Sequence, residues 1–448
     1  MPEKNVPTSP PTCPTDLSLI DSTYPVGVPL TATYRLGFAF KTINLRLPVI
    51  LTKIIDQLSR DKNEIGESCG QEARDDVKIV VGALAKFKNE MVTNKPIYKT
   101  GCKIWDSYLE HIAQLYFEGV VEDVKWYFAP WLHVECYFYK RIHDAFQLSN
   151  HLKSFDPFRK QKEDGFECSK KSSAQLAEYV LSSDSSDAVL QTLLEVGLWG
   201  NRCDLSLSSG EEVSQLGNLV DQLQGLRNFV LCDESANFWK ILKDAKTANP
   251  DNPLTVGYVL DNAGFELFTD FCLADKLMDR VDRIDFYVKT TPWFISDALK
   301  TDFDWLIERM CSGDCSDFPV LVKLAERWKG YVLSKRWTVV ESEFWTYPHA
   351  YFEMQDADPE LYSTLTKHTH LIFKGDLNYR KLIGDVSWKP DTPFKDALRG
   401  FCPAPLLSLR TLKADCIAGL RAGLAEEIES KSQDWLVSGE YGIMQHAQ

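Results

Sequence analysis

No stretch of this chain reaches the ~18 uninterrupted apolar residues that a membrane span needs, because charged residues interrupt every long apolar run. Serial Lys/Arg runs are also missing, and 50 Lys+Arg against 64 Asp+Glu leave a net charge of −14. An acidic chain of this kind is a poor general nucleic-acid binder, so any anionic substrate must be captured locally. Neither G-x-x-x-x-G-K-[ST] nor G-x-G-x-x-G occurs, which removes the P-loop and the ordinary dinucleotide fingerprint. H-E-x-x-H and G-x-S-x-G are absent too, and the eight histidines (111, 133, 143, 151, 349, 368, 370 and 446) lack paired zinc spacing. The 12 cysteines are scattered without a dense framework. Only Cys311 and Cys315 lie close, as expected for helix-end thiols in a reducing compartment. The expected location is cytoplasmic, with the nucleus also open.

A length of 448 residues with 44% hydrophobic and 12% aromatic side chains supports large buried cores. Met1 to Pro29 holds seven of the 21 prolines and no continuous apolar core, so residues 1–33 are expected to form a disordered tail without a signal peptide. A helical lobe is expected over 34–190. Val49, Ile50, Ile54, Ile55 and Leu58 share one helical face, and Val77, Val80, Val81, Leu84, Phe87 and Met91 another. A third helix runs through Ile104 to Tyr116, and an aromatic-rich fourth follows Pro130. Lys153 to Ser173, with six Lys/Arg and no aliphatic side chain, reads as a solvated connection before a helical stretch from Ala174 to Val196.

From about residue 191 to 448 the pattern becomes short apolar runs followed by polar corners and helical segments, the signature of a parallel α/β sheet. The runs are Val256 to Leu260, Ile284 to Val288, His370 to Phe373 and, more weakly, Leu406 to Leu409. Asp358 as N-cap and Pro359 at the first helical position announce a helix before the third run. Asp302-Phe303-Asp304 resembles an aspartyl-nucleophile motif, but the residues after it continue a helical pattern with no strand before it.

Chemistry concentrates at three corners. Asp261 and Asn262 follow the first run, Asp297 follows the second, and Lys374, Asp376, Asn378 and Arg380 follow the third. Ligands in open parallel sheets bind beyond the carboxyl ends of strands, and a helix opening near Gly264 would aim free N–H groups there. Each corner alone is equally a set of helix caps; three together point to one rim. Asp, Asn and Asp offer hard oxygen donors suited to Mg²⁺, Mn²⁺ or a similar ion. Lys374, Arg380, Arg410 and Lys413 are candidates for binding a phosphate, with a plain surface pair as the alternative for the last two.

The runs Trp199-Gly200-Asn201-Arg202-Cys203-Asp204-Leu205-Ser206, Leu260-Asp261-Asn262-Ala263-Gly264-Phe265-Glu266, Lys374-Gly375-Asp376-Leu377-Asn378-Tyr379-Arg380-Lys381 and Arg410-Thr411-Leu412-Lys413 together resemble the damage-control phosphatases. More narrowly, they resemble the branch named for acidic-residue methyltransferase 1, marked by Arg-Thr-x-Lys. Ala263 stands where that family has Ser, and Ser209 where it has Gly. The resemblance implies a helical lobe packed on a Rossmann-like α/β/α domain with a mostly parallel sheet, and a divalent metal such as Mn²⁺, Co²⁺ or Ni²⁺. It implies hydrolysis of small phosphorylated metabolites, typically fructose 1-phosphate and fructose 6-phosphate. Asp261, Asn262 and Asp297 correspond to metal ligands and to the catalytic centre. Asp261, Asn262, Asp376, Leu377, Asn378, Tyr379, Arg380 and Lys413, with Asn201 and Asp204, correspond to substrate contacts. In the branch's alternative activity, S-adenosylmethionine-dependent carboxyl methylation, Glu266 and Asp297 meet the methyl donor. A non-catalytic phosphometabolite sensor is the third reading.

Overall fold

The computed structural model describes residues 18–207, 225–248 and 251–448, with the side chains of 201–207 outside that description. Seven strands form one sheet: β1 Val230–Asp233, β2 Thr255–Val259, β3 Arg283–Val288, β4 Trp337–Glu341, β5 His370–Lys374, β6 Leu406–Thr411 and β7 Gly442–Ala447. Their order is β1-β7-β6-β5-β2-β3-β4. Strands β6, β5, β2, β3 and β4 are mutually parallel, β7 runs antiparallel to β6, and β1 is parallel to β7. The chain therefore builds outward from β2 to β3 and β4, then returns to β2's other side with β5 and β6. The reversal opens a crevice between β2 and β5, where ligands bind in folds of this kind.

Period-two alternation decides what each strand residue meets. Val256, Tyr258, Ile284, Phe286, Val288, Ile372, Leu407 and Leu409 join a core with helices Arg159–Ser182, Phe265–Leu277, Lys300–Cys311 and Pro319–Leu333. Val259, Tyr287, Leu371, Phe373 and Leu406 face the opposite core, built mainly from helices Leu47–Arg60, Ala73–Val92, Lys103–Tyr116 and Trp131–Gln147. The α/β class and the helical lobe packed on a mostly parallel sheet are as expected, as are all four runs and the four first helices. Asp358 does cap Pro359–Leu365, accepting from the Leu361 N–H at 3.0 Å.

Other expectations need correction. In the first helix the buried stripe is Leu47, Leu51, Ile54 and Leu58, while Val49 is exposed. A π-helical turn, Thr42–Arg46, precedes it; Pro48 lacks the N–H that would bond the carbonyl of Asn44, which favours a widened turn there. Within the expected tail, residues 18–33 are anchored: Gly27 N–H donates to Ser387 O at 2.7 Å and Leu30 N–H to Asp385 O at 2.9 Å. The expected connection over 153–173 contains the start of helix Arg159–Ser182, followed after a short break by helix Asp187–Leu207. Phe166, Ser169 and Ser173 bury its inner stripe, and Lys162 is buried in ion pairs with Asp156 at 2.7 Å and Asp302 at 2.6 Å. Asp302 thus serves the start of helix Lys300–Cys311, also accepting from the Leu299 N–H, and is no nucleophile. Cys311 and Cys315 are unbonded thiols.

Four histidines are buried neutral bases. Burial pushes His133, His349 and His370 down to about 3, and His368 to about 4. Because their folded values lie below the ordinary one near 6.5, the unfolded chain takes up protons first as pH falls, and stability is lost from about pH 6.5 downward. Buried carboxylates act in the opposite sense, so a difference measurement isolates the effect. Between pH 6.5 and 5, His133→Phe is expected to lose about 1.6 kcal/mol less than wild type, the slope approaching ~1.4 kcal/mol per pH unit as the unfolded histidine fills with its proton. Urea unfolding at both pH values measures it; equal losses would show that His133 protonates within the folded protein.

Candidate functional site

The corner after β2 and the loop after β3 are bonded to each other. Asn262 and Asp297 form an isolated antiparallel bridge. Ala263 N–H donates to Ser296 O at 2.7 Å and Ala298 N–H to Asp261 O at 2.7 Å. Two backbone hydrogen bonds thus hold Asp261 and Asn262 beside Asp297. Neither Asp261 nor Asn262 caps the following helix, whose N-cap is Gly264 with no side-chain bond. Asp297 does not cap the next one, which begins at Lys300 after Leu299. The loop carrying Asp297 holds Phe294 and Ile295 at φ of +46° and +72°, uncommon for any side chain and strained for a β-branched one. Phe294 is stacked on Tyr139 of the helical lobe, ring centroids 4.7 Å apart.

The third corner closes over the first. Gly375 has φ +90°, and a Cβ there would lie 1.9 Å from Asp261 Oδ2. Only glycine lets the chain leaving β5 pass so near that carboxylate.

Both carboxylates are buried, and both are pushed above the ordinary range. For Asp261 burial is the main cause, followed by the negative charges of Glu266 and Asp297. For Asp297 burial again leads, opposed by Lys289, whose Nζ lies 2.9 Å from Asp297 Oδ2 and donates to Leu260 O at 3.1 Å. Asn262 Nδ2 donates to Glu266 Oε2 at 2.7 Å and to Asp261 Oδ2 at 3.0 Å, and Asn262 Oδ1 accepts from the Ser296 hydroxyl. Among the described residues no three His, Cys, Asp or Glu side chains are gathered as a metal-binding group. The donor set at these corners is two carboxylates and an amide oxygen, all hard and mutually crowded, which is the chemistry that suits a divalent cation.

The basic candidates divide. Lys374 is buried and donates to Gly197 O at 2.5 Å and Asp270 Oδ1 at 2.8 Å, with Glu266 Oε1 at 3.2 Å. Arg380 is buried between Asp385, Glu135 and the face of Trp131, its Cζ 3.6 Å from the ring centre. Neither is a free phosphate ligand. Arg410 is fully buried rather than a surface base, and donates to Asp376 Oδ1 at 2.7 Å and to two backbone carbonyls. Lys413 N–H also donates to Asp376 Oδ1, at 3.2 Å, and its side chain is half-buried.

On helix Asp376–Leu382 the side chains of Leu377, Asn378 and Tyr379 turn inward. Asn378 bridges Lys374 O, Leu260 O and the Tyr351 hydroxyl, and the Tyr379 hydroxyl bonds Ala418. Asp376, with its side chain 18% exposed, is the polar side chain of this turn left at the rim. Asn201 and Asp204 fall in the last turns of helix Asp187–Leu207, where side chains lie outside the described residues. Sequence reasoning missed Lys289 and Ser296. Lys289 continues β3 in phase with Asp285 and Tyr287, so alternation could have placed it on the helical-lobe side.

A switch-point crevice lined by buried carboxylates defines a doubly wound α/β protein with its candidate site at the strand ends. The chain matches the family described as "Damage-control phosphatase ARMT1-like domain" over residues 42–428. It is 41% identical over 431 residues to "Damage-control phosphatase ARMT1" of Mus musculus, covering 93% of this chain and 97% of that one. The Homo sapiens and Danio rerio proteins of that name are 40% and 37% identical, with 92% and 93% of this chain and 96% of each relative covered. A DUF89 family protein from Pyrococcus horikoshii aligns over 89% of this chain and 97% of its own, at 15% identity and a TM-score of 0.41. The protein belongs to the ARMT1-like damage-control phosphatase family.

Gly375→Ala should push the Asp261 carboxylate aside and strain the corner, lowering unfolding free energy by about 1–3 kcal/mol. Chemical denaturation measures it, and wild-type stability would mean that the β5 corner can move away from Asp261.

Proposed function

We propose that the protein is a divalent-metal-dependent phosphomonoester hydrolase acting on small phosphorylated metabolites, with sugar phosphates such as fructose 1-phosphate and fructose 6-phosphate as substrates. The observation that carries this reading is the bonding of the Asp261–Asn262 corner to Asp297 at the β2/β5 switch point, in a chain of this phosphatase family. Asp261, Asn262 and Asp297 would hold the ion, with Mn²⁺, Co²⁺, Ni²⁺ and Mg²⁺ as the candidates. When bound, it would neutralise phosphoryl charge and lower the pKa of water.

The remaining work falls to the chain. Lys289 lies against Asp297 and holds that carboxylate in place. Lys413, part-exposed beside Asp376, is the basic side chain able to meet a phosphoryl oxygen. Asp376 is pinned through Oδ1 by Arg410, leaving Oδ2 to accept from a sugar hydroxyl. Such a contact orients the leaving group for in-line attack at phosphorus, and the P–O bond to the sugar breaks as the new one to the attacking oxygen forms. Arg380 supports this turn from behind instead of touching phosphate. Glu266, which with Asp297 the methyl-transfer reading needs, has both oxygens engaged by Asn262 and Lys374.

Phosphate release from a sugar phosphate panel, after EDTA treatment and with each metal added back, tests the proposal. Asp261→Ala and Asp297→Ala should each lower kcat at least about a hundredfold. No release by folded wild-type protein with any metal would sink the hydrolase reading.

Two basic residues separate binding from support. Lys413→Ala should raise KM about tenfold or more with the melting point retained, as loss of one charged contact. Arg380→Ala should destabilise by about 3–5 kcal/mol, because Glu135 and Asp385 would be left buried and unpaired. Steady-state kinetics and urea unfolding on both variants measure this; a KM effect from a fully stable Arg380→Ala would return Arg380 to the substrate.

A further inference from the structure

We infer that Lys374 is a positioning residue, which fixes the Asn262 amide by way of Glu266 and so presents the amide oxygen toward the place of the ion; this rests on the proposed function. The strand period sets the starting point. Lys374 is in phase with His370 and Ile372, so its side chain leaves β5 on the face of helix Phe265–Leu277, away from the helical lobe. There its three N–H donors have three oxygens within reach: Gly197 O at 2.5 Å, Asp270 Oδ1 at 2.8 Å and Glu266 Oε1 at 3.2 Å. The Tyr258 hydroxyl donates to the same Asp270 oxygen at 2.7 Å, which holds that carboxylate in turn.

Glu266 is therefore held on one oxygen by a cation, and it offers the other, Oε2, to Asn262 Nδ2 at 2.7 Å. The second N–H of that amide goes to Asp261 Oδ2 at 3.0 Å. A carboxylate paired with an ammonium group only accepts, so the end of the amide facing Glu266 has to be its nitrogen. Asn262 Oδ1 is then forced to the other side, where it accepts from the Ser296 hydroxyl, on the residue before Asp297. An amide oxygen has two lone pairs, and Ser296 occupies one. The second remains for an ion.

Lys374 also has an electrostatic task. Glu266, Asp270 and Asp261 are all buried, and without the ammonium group Glu266 would be free to turn from its neighbours. A rotated Glu266 no longer requires the nitrogen of Asn262 at that point.

The test is Mn²⁺ binding by titration calorimetry on the full chain, with thermal melting of each variant alongside. A glutamine at 266 keeps the shape but accepts on one oxygen only, so either Lys374 or Asn262 loses its partner. Glu266→Gln and Lys374→Met should each weaken Mn²⁺ binding by about 10–100-fold, and Lys374→Arg should recover most of the loss. The double variant should be no weaker than the worse single one, since both changes break the same chain of contacts. Glu266→Gln carries the test alone if Lys374→Met does not fold. Wild-type Mn²⁺ affinity in the folded single variants, or fully additive losses in the double one, would overturn the role of Lys374 while leaving the hydrolase reading intact. Absence of binding by the wild type with Mn²⁺, Co²⁺, Ni²⁺ and Mg²⁺ alike would overturn both.

Discussion

Everything at the strand ends depends on two backbone hydrogen bonds, Ala263 to Ser296 and Ala298 to Asp261, which tie the corner after β2 to the loop after β3. Backbone groups at corners must find partners when they are buried, and here each loop satisfies the other. The result is that buried carboxylates from separate strands are brought together, although like charges oppose such an approach. The cost appears in the raised proton affinity of Asp261 and Asp297 and in the left-handed backbone of Phe294 and Ile295. The large cores on both faces of the sheet make the arrangement affordable. Tyr139 of the helical lobe stacks on Phe294, and Trp293 packs at a tilt against both rings.

Strand alternation then distributes the cations that make the cluster tolerable. Lys289, in phase with Asp285 and Tyr287, reaches Asp297 on the helical-lobe side. Lys374, in phase with Ile372, reaches Asp270 and Glu266 on the other. Arg410 follows Leu406 and Ser408 toward Asp376. A register slip of one residue in any of these strands would exchange a lysine or arginine with an apolar neighbour and bury both wrongly. The hydrophobic pattern that fixes register therefore also fixes which acid each base serves.

This explains what could be read in the sequence. The run Val256 to Leu260 is apolar on both faces, as buried parallel strands tend to be, and Ile284 to Val288 is interrupted only by Asp285, so an acid just after such a run stands out. The three strands that escaped notice lack that signature: Gly442–Ala447 carries Gln445 and His446, and Val230–Asp233 and Trp337–Glu341 are edge strands that are mostly half-buried. Helix Arg159–Ser182 was hidden because its buried stripe uses Lys162, Ser169 and Ser173 beside Phe166. A buried lysine looks like a solvated one until its partner is known, and Asp302 lies 140 residues away. Arg380 shows the same limit, since Glu135 is 245 residues before it. Local pattern located the site; the long-range ion pairs that decide which basic groups remain free were not legible in it.

The charge balance at the rim follows from those pairs. Asp261, Asp297, Glu266, Asp270 and Asp376 face Lys289, Lys374, Arg410 and Lys413, five carboxylates against four basic groups. Three of the four bases already serve carboxylates, so a dianionic phosphate approaching the ionised cluster would meet a field that is neutral or negative, in a chain whose net charge is −14. A divalent cation, if held by Asp261 and Asp297 as proposed, would reverse that sign and would remove the reason for those carboxyls to hold protons. The proposed role of an ion thus rests on the way the fold pairs its own lysines and arginines, before any particular substrate is considered.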